Sequence, residues 1–396
     1  MQDWEIKPLK DICSIFTDGN WIETKDQSDE GIRLIQTGNI GFGYYKDKSD
    51  KSRYISEETF KQLKCTEILP GDLLVSRLPD PVGKSCLIPD INTKMITGVD
   101  CTIIRLKEIV IPKYLLYYQM SQQYLKDVES KVSGTTRSRI SRKNLGLINI
   151  PFPKNEKQKQ IVGILDKAFK SIEQAKANIE KNIQNTKELF QSRLNEMFSQ
   201  KGDGWEEKTL GEVCNLFQGL AINKKTKHLL VEKSSLPLLR IKDLKNNTYE
   251  QYVSEEGFPI NSLVNEKEII YTRTGNSLGL VFRGKRGILH NNSFKIIPSD
   301  ELENDYLYWW LQHDKFTKKI IKLASKAAQP DITHKLFKQQ AIVIPSKDKQ
   351  KEYYLEIVKL DKLTKQLEKQ YQQKLKNLEE LKKSILQKAF SGELIP

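Results

Sequence analysis

Gly83-Lys84-Ser85, inside LPDPVGKSCLI at residues 78–88, is where nucleotide chemistry would be sought first in this 396-residue chain. A phosphate-binding loop reads G-x-x-x-x-G-K-[ST], because its first glycine starts the turn whose N–H groups cradle the phosphates. Here Leu78 stands where that glycine is required, and Pro79 and Pro81 remove two donors. The tripeptide is expected in a loop of another kind, with Lys84 a candidate for meeting an external phosphate. Asn149-Ile150-Pro151-Phe152 is one residue away from the Asn-Pro-Pro-aromatic motif that grips a flipped adenine in N6-methyltransferases. No glycine-rich strand-turn-helix for a methyl donor precedes it. Pro-Asp occurs at 79–80, 89–90 and 330–331 without the Glu-x-Lys of a metal-dependent nuclease. The cysteines (13, 65, 86, 101 and 214) and histidines (228, 290, 313 and 334) lack the close spacing of zinc ligands and read as buried thiols and scattered imidazoles. These residue types assemble neither a catalytic constellation nor a metal site.

The chain does repeat itself. WEIKPLKDICSIF (4–16) matches WEEKTLGEVCNLF (205–217), pairing Trp4 with Trp205, Cys13 with Cys214 and Phe16 with Phe217. DLLVSR (72–77) matches EIIYTR (268–273), setting Arg77 on Arg273, and YLLYY (114–118) matches YLYWW (306–310). NIPFP (149–153) falls on VIPSK (343–347), and LNEMFS (194–199) on LQKAFS (386–391). Two homologous halves follow. In each, short β-branched runs such as DLLVSR, CTIIRL, LGLINI, SFKIIP and AIVIP predict strands, and amphipathic stretches between them predict helices. The fold class is α+β: two mixed α/β domains, 1–152 and 204–346, each followed by a long helix, 153–203 and 347–396.

Those helices carry a narrow apolar stripe on a surface of Lys, Glu and Gln, which suits a coiled-coil seam. The seam is assigned to Leu165, Ile172, Ile179 and Phe190 in the first helix, and to Leu363, Leu367, Leu375, Leu378 and Ile385 in the second. An antiparallel pairing would give the chain pseudo-two-fold symmetry.

A formal net charge of +14 favours a polyanionic partner, because clustered Lys and Arg displace counterions condensed on nucleic acid, and charge alone leaves RNA, DNA and acidic membranes open. The N-terminal residues contain no apolar core of a signal sequence, and no run is long enough to span a bilayer, so a cytoplasmic location is expected. The candidates for DNA contact lie in loops at matching places of both halves. In the first half they are Arg33, Gln36, Thr37, Asn39, Arg77, Lys84, Thr135, Thr136, Arg137, Arg139, Arg142 and Lys143. In the second they are Arg240, Lys242, Arg273, Asn276, Ser277, Lys326, Gln329, Asp331, Thr333 and Lys335. Arg, Gln and Asp suit base edges, whereas Thr, Ser and Lys suit phosphates. Any one of these could equally be an ordinary solvated loop residue; the scaffold blocks repeat while the loops between them differ in chemistry.

This plan resembles the specificity subunit of Type I restriction-modification systems. The resemblance spans the whole chain and rests on W-E-x-K-x-L opening each half, IPFPKNEKQKQIVGILDK and IPSKDKQKEYYLEIVKLDK at the helix starts, and LNEMFS and LQKAFSGEL at the helix ends. It departs from the family at MFSQKGDGW, which lacks the Gly-Glu-Leu that follows Phe390-Ser391. The resemblance implies a non-catalytic chain whose two target recognition domains each read one half of a split double-stranded DNA site, with the helix pair as a ruler. It further implies two methyltransferase subunits that hold S-adenosylmethionine and modify adenine, joined in the restriction enzyme by two translocating nuclease subunits. The alternatives are a self-sufficient DNA methyltransferase or nuclease, and a coiled-coil scaffold without sequence-selective DNA binding.

Overall fold

Short runs of Val, Ile and Leu bounded by Gly, Pro and Asp form the strands, since branched side chains pack well on a pleated surface. The computed structural model describes residues 4–134, 138–325 and 330–394. By internal contacts the chain divides into Met1–Ile179 with Gln373–Pro396, and Glu180–Gln372, so each unit takes in part of both long helices.

The first unit contains β1 (Glu5–Pro8), β2 (Cys13–Asp18), β3 (Ile32–Ile35), β4 (Tyr54–Ile55), β5 (Leu73–Ser76), β6 (Ser85–Leu87), β7 (Met95–Thr97), β8 (Cys101–Leu106) and β9 (Asn149–Phe152). Its helices are α1 (Glu57–Gln62), α2 (Pro112–Gln119), α3 (Gln122–Glu129), α4 (Arg142–Gly146) and the start of α5 (Asn155–Met197). Sheets run β2-β8-β5-β6, β4-β3-β7 and β1-β9. The expected strand LGLINI is split, because Ser141 caps α4 by accepting from the Asn144 N–H at 3.1 Å and the strand begins only at Asn149.

The second unit repeats the plan with β10 (Glu206–Thr209), β11 (Cys214–Gln218), β12 (Leu230–Val231), β13 (Leu236–Leu239), β14 (Tyr252–Val253), β15 (Leu263–Val264), β16 (Ile269–Thr272), β17 (Val281–Phe282), β18 (Gly287–Leu289), β19 (Ser293–Pro298) and β20 (Ala341–Ile344). Helices α6 (Leu210–Val213), α7 (Ile241–Asn246), α8 (Asn304–Trp310), α9 (Asp314–Ala324) and α10 (His334–Lys338) precede α11 (Lys347–Ser391). The sheets run β11-β19-β16-β17, β12-β14-β13-β18-β15 and β10-β20.

The ladders correct one pairing read from the sequence. Phe16 lies opposite Ile104, which faces Leu73; in the second unit Leu216 lies opposite Ile296, which faces Ile269. Phe16 is therefore the counterpart of Leu216, not of Phe217. A bulge between Cys13 and Ile15 adds one residue to β2, and a residue match cannot reveal that shift.

Each core is closed by the start of one long helix and the end of the other. In the first unit Leu165, Phe169 and Ile172 of α5 and Leu386, Ala389 and Phe390 of α11 join Leu9, Tyr114, Tyr124 and Ile150. In the second, Leu194 and Met197 of α5 and Tyr353 and Ile357 of α11 join Leu210, Tyr271, Phe294 and Trp310. A buried glutamine fastens each helix start. Gln158 accepts from the Ile111 N–H at 2.9 Å and donates to Pro153 O at 2.9 Å. Gln350 accepts from the Glu303 N–H at 2.7 Å and donates to Pro345 O at 2.9 Å.

Within each unit the helix segments run antiparallel. Lys176 meets Glu379 at 3.4 Å and Glu173 meets Lys382 at 3.2 Å in the first unit. In the second, Arg193 meets Glu356 at 2.7 Å and Gln200 accepts from Tyr353 at 2.5 Å. Leu165 and Ile172 are buried, and Ile179, Phe190, Leu375, Leu378 and Ile385 half-buried, as a seam requires. Leu363 and Leu367 do not belong to it, being 50% and 42% exposed. From Leu360 the less exposed stripe steps through Thr364, Glu368 and Tyr371 to Leu375, so steps of three and four from the same leucine lead to two faces and the more polar one is turned inward.

Candidate nucleic-acid interface

In the first unit the loops leaving β2, β5 and β7 meet at one edge. An added Cβ on Gly19 would stand 2.1 Å from Thr97 O, so the backbones touch and only glycine fits. Asn20 then bridges to Gly98 and donates to Leu63 O at 2.8 Å. Arg77, 5% exposed, donates to Val99 O at 2.5 Å and Ile140 O at 3.3 Å and pairs with Asp18 at 3.1 Å. Its guanidinium is turned inward as a clamp on three loops, and burial lowers its pKa from the ordinary arginine range. Asp18 also accepts from Thr102 at 2.7 Å, Arg139 pairs with Asp100 at 3.1 Å, and Arg142 donates to Thr17 at 3.3 Å.

Two further candidates are structural. Arg33 is buried and pairs with Asp47 at 2.5 Å. Asn39 is buried, accepting from the Gln36 N–H at 3.0 Å and donating to Lys46 O at 3.0 Å. Gln36, Arg142 and Lys143 are exposed and Thr37 is half-buried. Gln36 and Thr37 line a cleft of about 220 Å³ with Asn20, Trp21, Val99 and Asp100.

The Gly83 loop is closed to nucleotide. The Gly83 N–H donates to Ser76 O at 2.8 Å, its carbonyl accepts from Tyr124 at 3.1 Å, and Ser85 pairs with Val75 in the sheet. No cradle of free N–H groups is left. Half-buried Lys84 donates to Asp80 O at 3.1 Å, and burial, with Lys46 and Lys48 nearby, pulls its pKa down. A phosphate among these three ammonium groups would relieve their repulsion. Lys46 and Lys48 were not singled out from the sequence, although Lys-Asp-Lys beside Tyr44-Tyr45 was a visible signal.

The second unit uses different groups on the same frame. A Cβ on Gly219 would lie 2.3 Å from His290 O, and Leu220 bridges to His290 as Asn20 does to Gly98. Arg273 holds Asp331 in a two-pronged pair at 3.0 and 2.6 Å and donates to Gln218 at 3.3 Å, so Arg273 and Asp331 satisfy each other before they can read a base. Arg240 is likewise committed, to Asp243 at 2.6 Å, Glu250 at 3.1 Å and Gln251 at 3.0 Å, while Lys242 pairs with Glu250. Ser277 accepts from Lys245 at 2.8 Å, and Thr333 caps α10 by accepting from the Leu336 N–H at 3.2 Å. Asn276, Thr333 and Lys335 are exposed. Burial, then the charge of Arg240, lowers the His290 pKa. Thr135, Thr136, Arg137, Lys326 and Gln329 lie outside the described residues.

The cysteine thiols offer no chemistry to this edge: burial raises all five, with Cys13, Cys86, Cys101 and Cys214 pushed up to about 12. Among the described residues no cluster of His, Cys, Asp and Glu has the makings of a metal site.

Comparison with known proteins places both repeats in one family. A family model described as the Type I restriction modification DNA specificity domain matches residues 1–185 and again 202–377. The chain is 23% identical to the Type I restriction enzyme EcoKI specificity subunit of Escherichia coli K12, over 99% of this chain and 89% of that one. It is 22% identical to the putative type I restriction enzyme MjaX specificity subunit of Methanocaldococcus jannaschii, over 99% and 94% of the two chains. A chain in a structure of a type I R-M system superposes with a TM-score of 0.79 at 17% identity, covering 100% of this chain and 99% of that one. The HsdS subunit of Thermoanaerobacter tengcongensis superposes with a TM-score of 0.60 at 17% identity, over 99% and 97% of the chains. Both are likenesses of fold.

Proposed function

Because the chain belongs to the Type I restriction-modification DNA specificity family, as a non-catalytic specificity subunit, we infer that it reads a bipartite site in double-stranded DNA, one half-site per unit. The observation that carries this reading is the repeated frame with unlike loops. Asp18, Trp21, Gln36, Thr37, Asp100 and Arg139 stand at the loop edge of the first unit, where the second presents Gln218, His290, Asn292, Asn276 and the Arg273–Asp331 pair. Different donors and acceptors on one scaffold suit two different half-sites. Lys46, Lys48 and Lys84 would hold the phosphate backbone beside the first.

The long helices act as the ruler in this reading. At 43 and 45 residues and 1.5 Å per residue they measure about 65 Å, so half-site centres are separated by no more than about 19 base pairs. Two methyltransferase subunits, which bring S-adenosylmethionine and modify adenine, dock on the helices, and two translocating nuclease subunits join them. Exposed Leu355, Val358, Leu363 and Leu367 on α11 favour a protein partner there. The complex works in the cytoplasm; among the described residues no helix is long and apolar enough to cross a membrane.

Mapping methylated adenines in the native genome with and without this gene tests the reading. A split motif that disappears with the gene is expected, and exchanging residues 1–150 for another such domain should alter one half of it. Methyl transfer to DNA by the purified chain alone would favour a self-sufficient enzyme instead.

A further inference from the structure

Trp21 is 70% exposed, an unusual position for the largest apolar side chain. The backbone just before it is anchored twice: Gly19 is pressed against Thr97 O, and Asn20 is tied to Gly98 and to Leu63 O. The Glu23 carboxylate close to the ring pairs with Lys25 at 2.8 Å, and Lys25 first, then the indole N–H, hold its pKa below the ordinary range. Beside Trp21 in the cleft stand Asn20, Gln36, Thr37 and Asp100. Asp100 is paired with Arg139 at 3.1 Å and its side chain stays partly exposed. A carboxylate would be repelled by phosphates, but it accepts well from the exocyclic amino group of a base.

The second unit carries no ring at the matching position. Leu220 corresponds to Asn20 by its bridge to His290, which puts Ala221 where Trp21 stands. The ring is thus not part of the frame common to both repeats, whose shared residues serve folding.

We propose that Trp21 and the cleft it walls are a base-reading element of the first unit: the indole packs against a base in the groove, and Gln36 and Asp100 bond to that base's edge, Asp100 accepting from an amino group. This rests on the DNA-recognition reading above. A rigid aromatic ring desolvates well against a base, and the polar pair beside it supplies the direction that stacking lacks.

The test uses the full chain and four duplexes built from the methylated motif: intact, first half scrambled, second half scrambled, and both scrambled. Trp309 and Trp310 are buried and Trp4 and Trp205 half-buried, so the long-wavelength tryptophan emission reports Trp21. It should be quenched by the intact duplex and by only one of the half-scrambled duplexes. Trp21→Ala should weaken binding to those two duplexes about tenfold or more, and leave the other half-scrambled duplex unaffected. Asp100→Asn should change the preferred base at one position of the same half. Equal binding by wild type and Trp21→Ala, both with unchanged thermal midpoints, would overturn the proposal, as would an equal loss on all four duplexes. If the wild-type chain fails to prefer the intact duplex to the fully scrambled one, the DNA-recognition reading itself fails.

Discussion

Replacing Arg77 with alanine distinguishes a loop clamp from a DNA contact. The guanidinium is 5% exposed and holds Val99 O at 2.5 Å, Ile140 O at 3.3 Å and Asp18 at 3.1 Å. Removing one member of a buried ion pair costs about 3–5 kcal/mol, because the other charge is left unpaired. Asp18 is 19% exposed and keeps its bond from Thr102 at 2.7 Å, which places the loss near the lower end, about 3 kcal/mol. For a unit of about 200 residues that corresponds to a fall of roughly 6–12 °C in its melting temperature. Thermal unfolding measures this, and amide hydrogen exchange should quicken around 98–100 and 138–142. DNA binding should fall only for the half-site of the first unit. A phosphate contact would behave otherwise: the melting temperature would hold and the slope of log K against log salt would shrink by about 0.9. That outcome would refute the clamp.

Gly19→Ala and Gly219→Ala should each destabilise their unit by about 1–3 kcal/mol, since the new methyl would lie 2.1 or 2.3 Å from a carbonyl oxygen; denaturant midpoints measure this. Leu165→Ala, at a fully buried position, should cost about 2–5 kcal/mol, whereas Leu363→Ala, half exposed, should cost under about 1. Lys84→Ala should weaken binding to all duplexes about equally and lower the salt slope by about 0.9. All four histidines fall in the second unit, and burial lowers the pKa values of His290, His313 and His334. Their unfolded forms take up protons first as the pH drops below about 6.5, so the second unit should lose stability between pH 7 and 5.5 while the first does not. Calorimetry across that range reads the separation, and parallel loss in both units would contradict it.

Much of the architecture was legible because it rests on periodicity. The apolar stripes placed both long helices, and β-branched runs placed β5, β8, β16, β19 and β20 within a residue or so. The seam was readable where it also closes a core, at Leu165 and Ile172, and misread at Leu363 and Leu367, where two stripes share Leu360. The DNA-contact candidates fared less evenly. Residue type singled out Arg33, Arg77, Arg240 and Arg273 for their hydrogen-bonding forks, but the same forks bind carboxylates and carbonyls inside the fold equally well. Trp21 was overlooked because a tryptophan in a sequence reads as core.

Repetition, charge and the absence of a complete nucleotide or methyltransferase motif could be determined from the sequence alone, since each depends only on residue order and type. Which arginines face inward, which tryptophan stays in water and where β2 gains its extra residue were decided by tertiary structure. The reason is physical: an arginine is free for DNA only if no Asp18 or Asp331 reaches it first, and those partners lie 59 and 58 residues away along the chain.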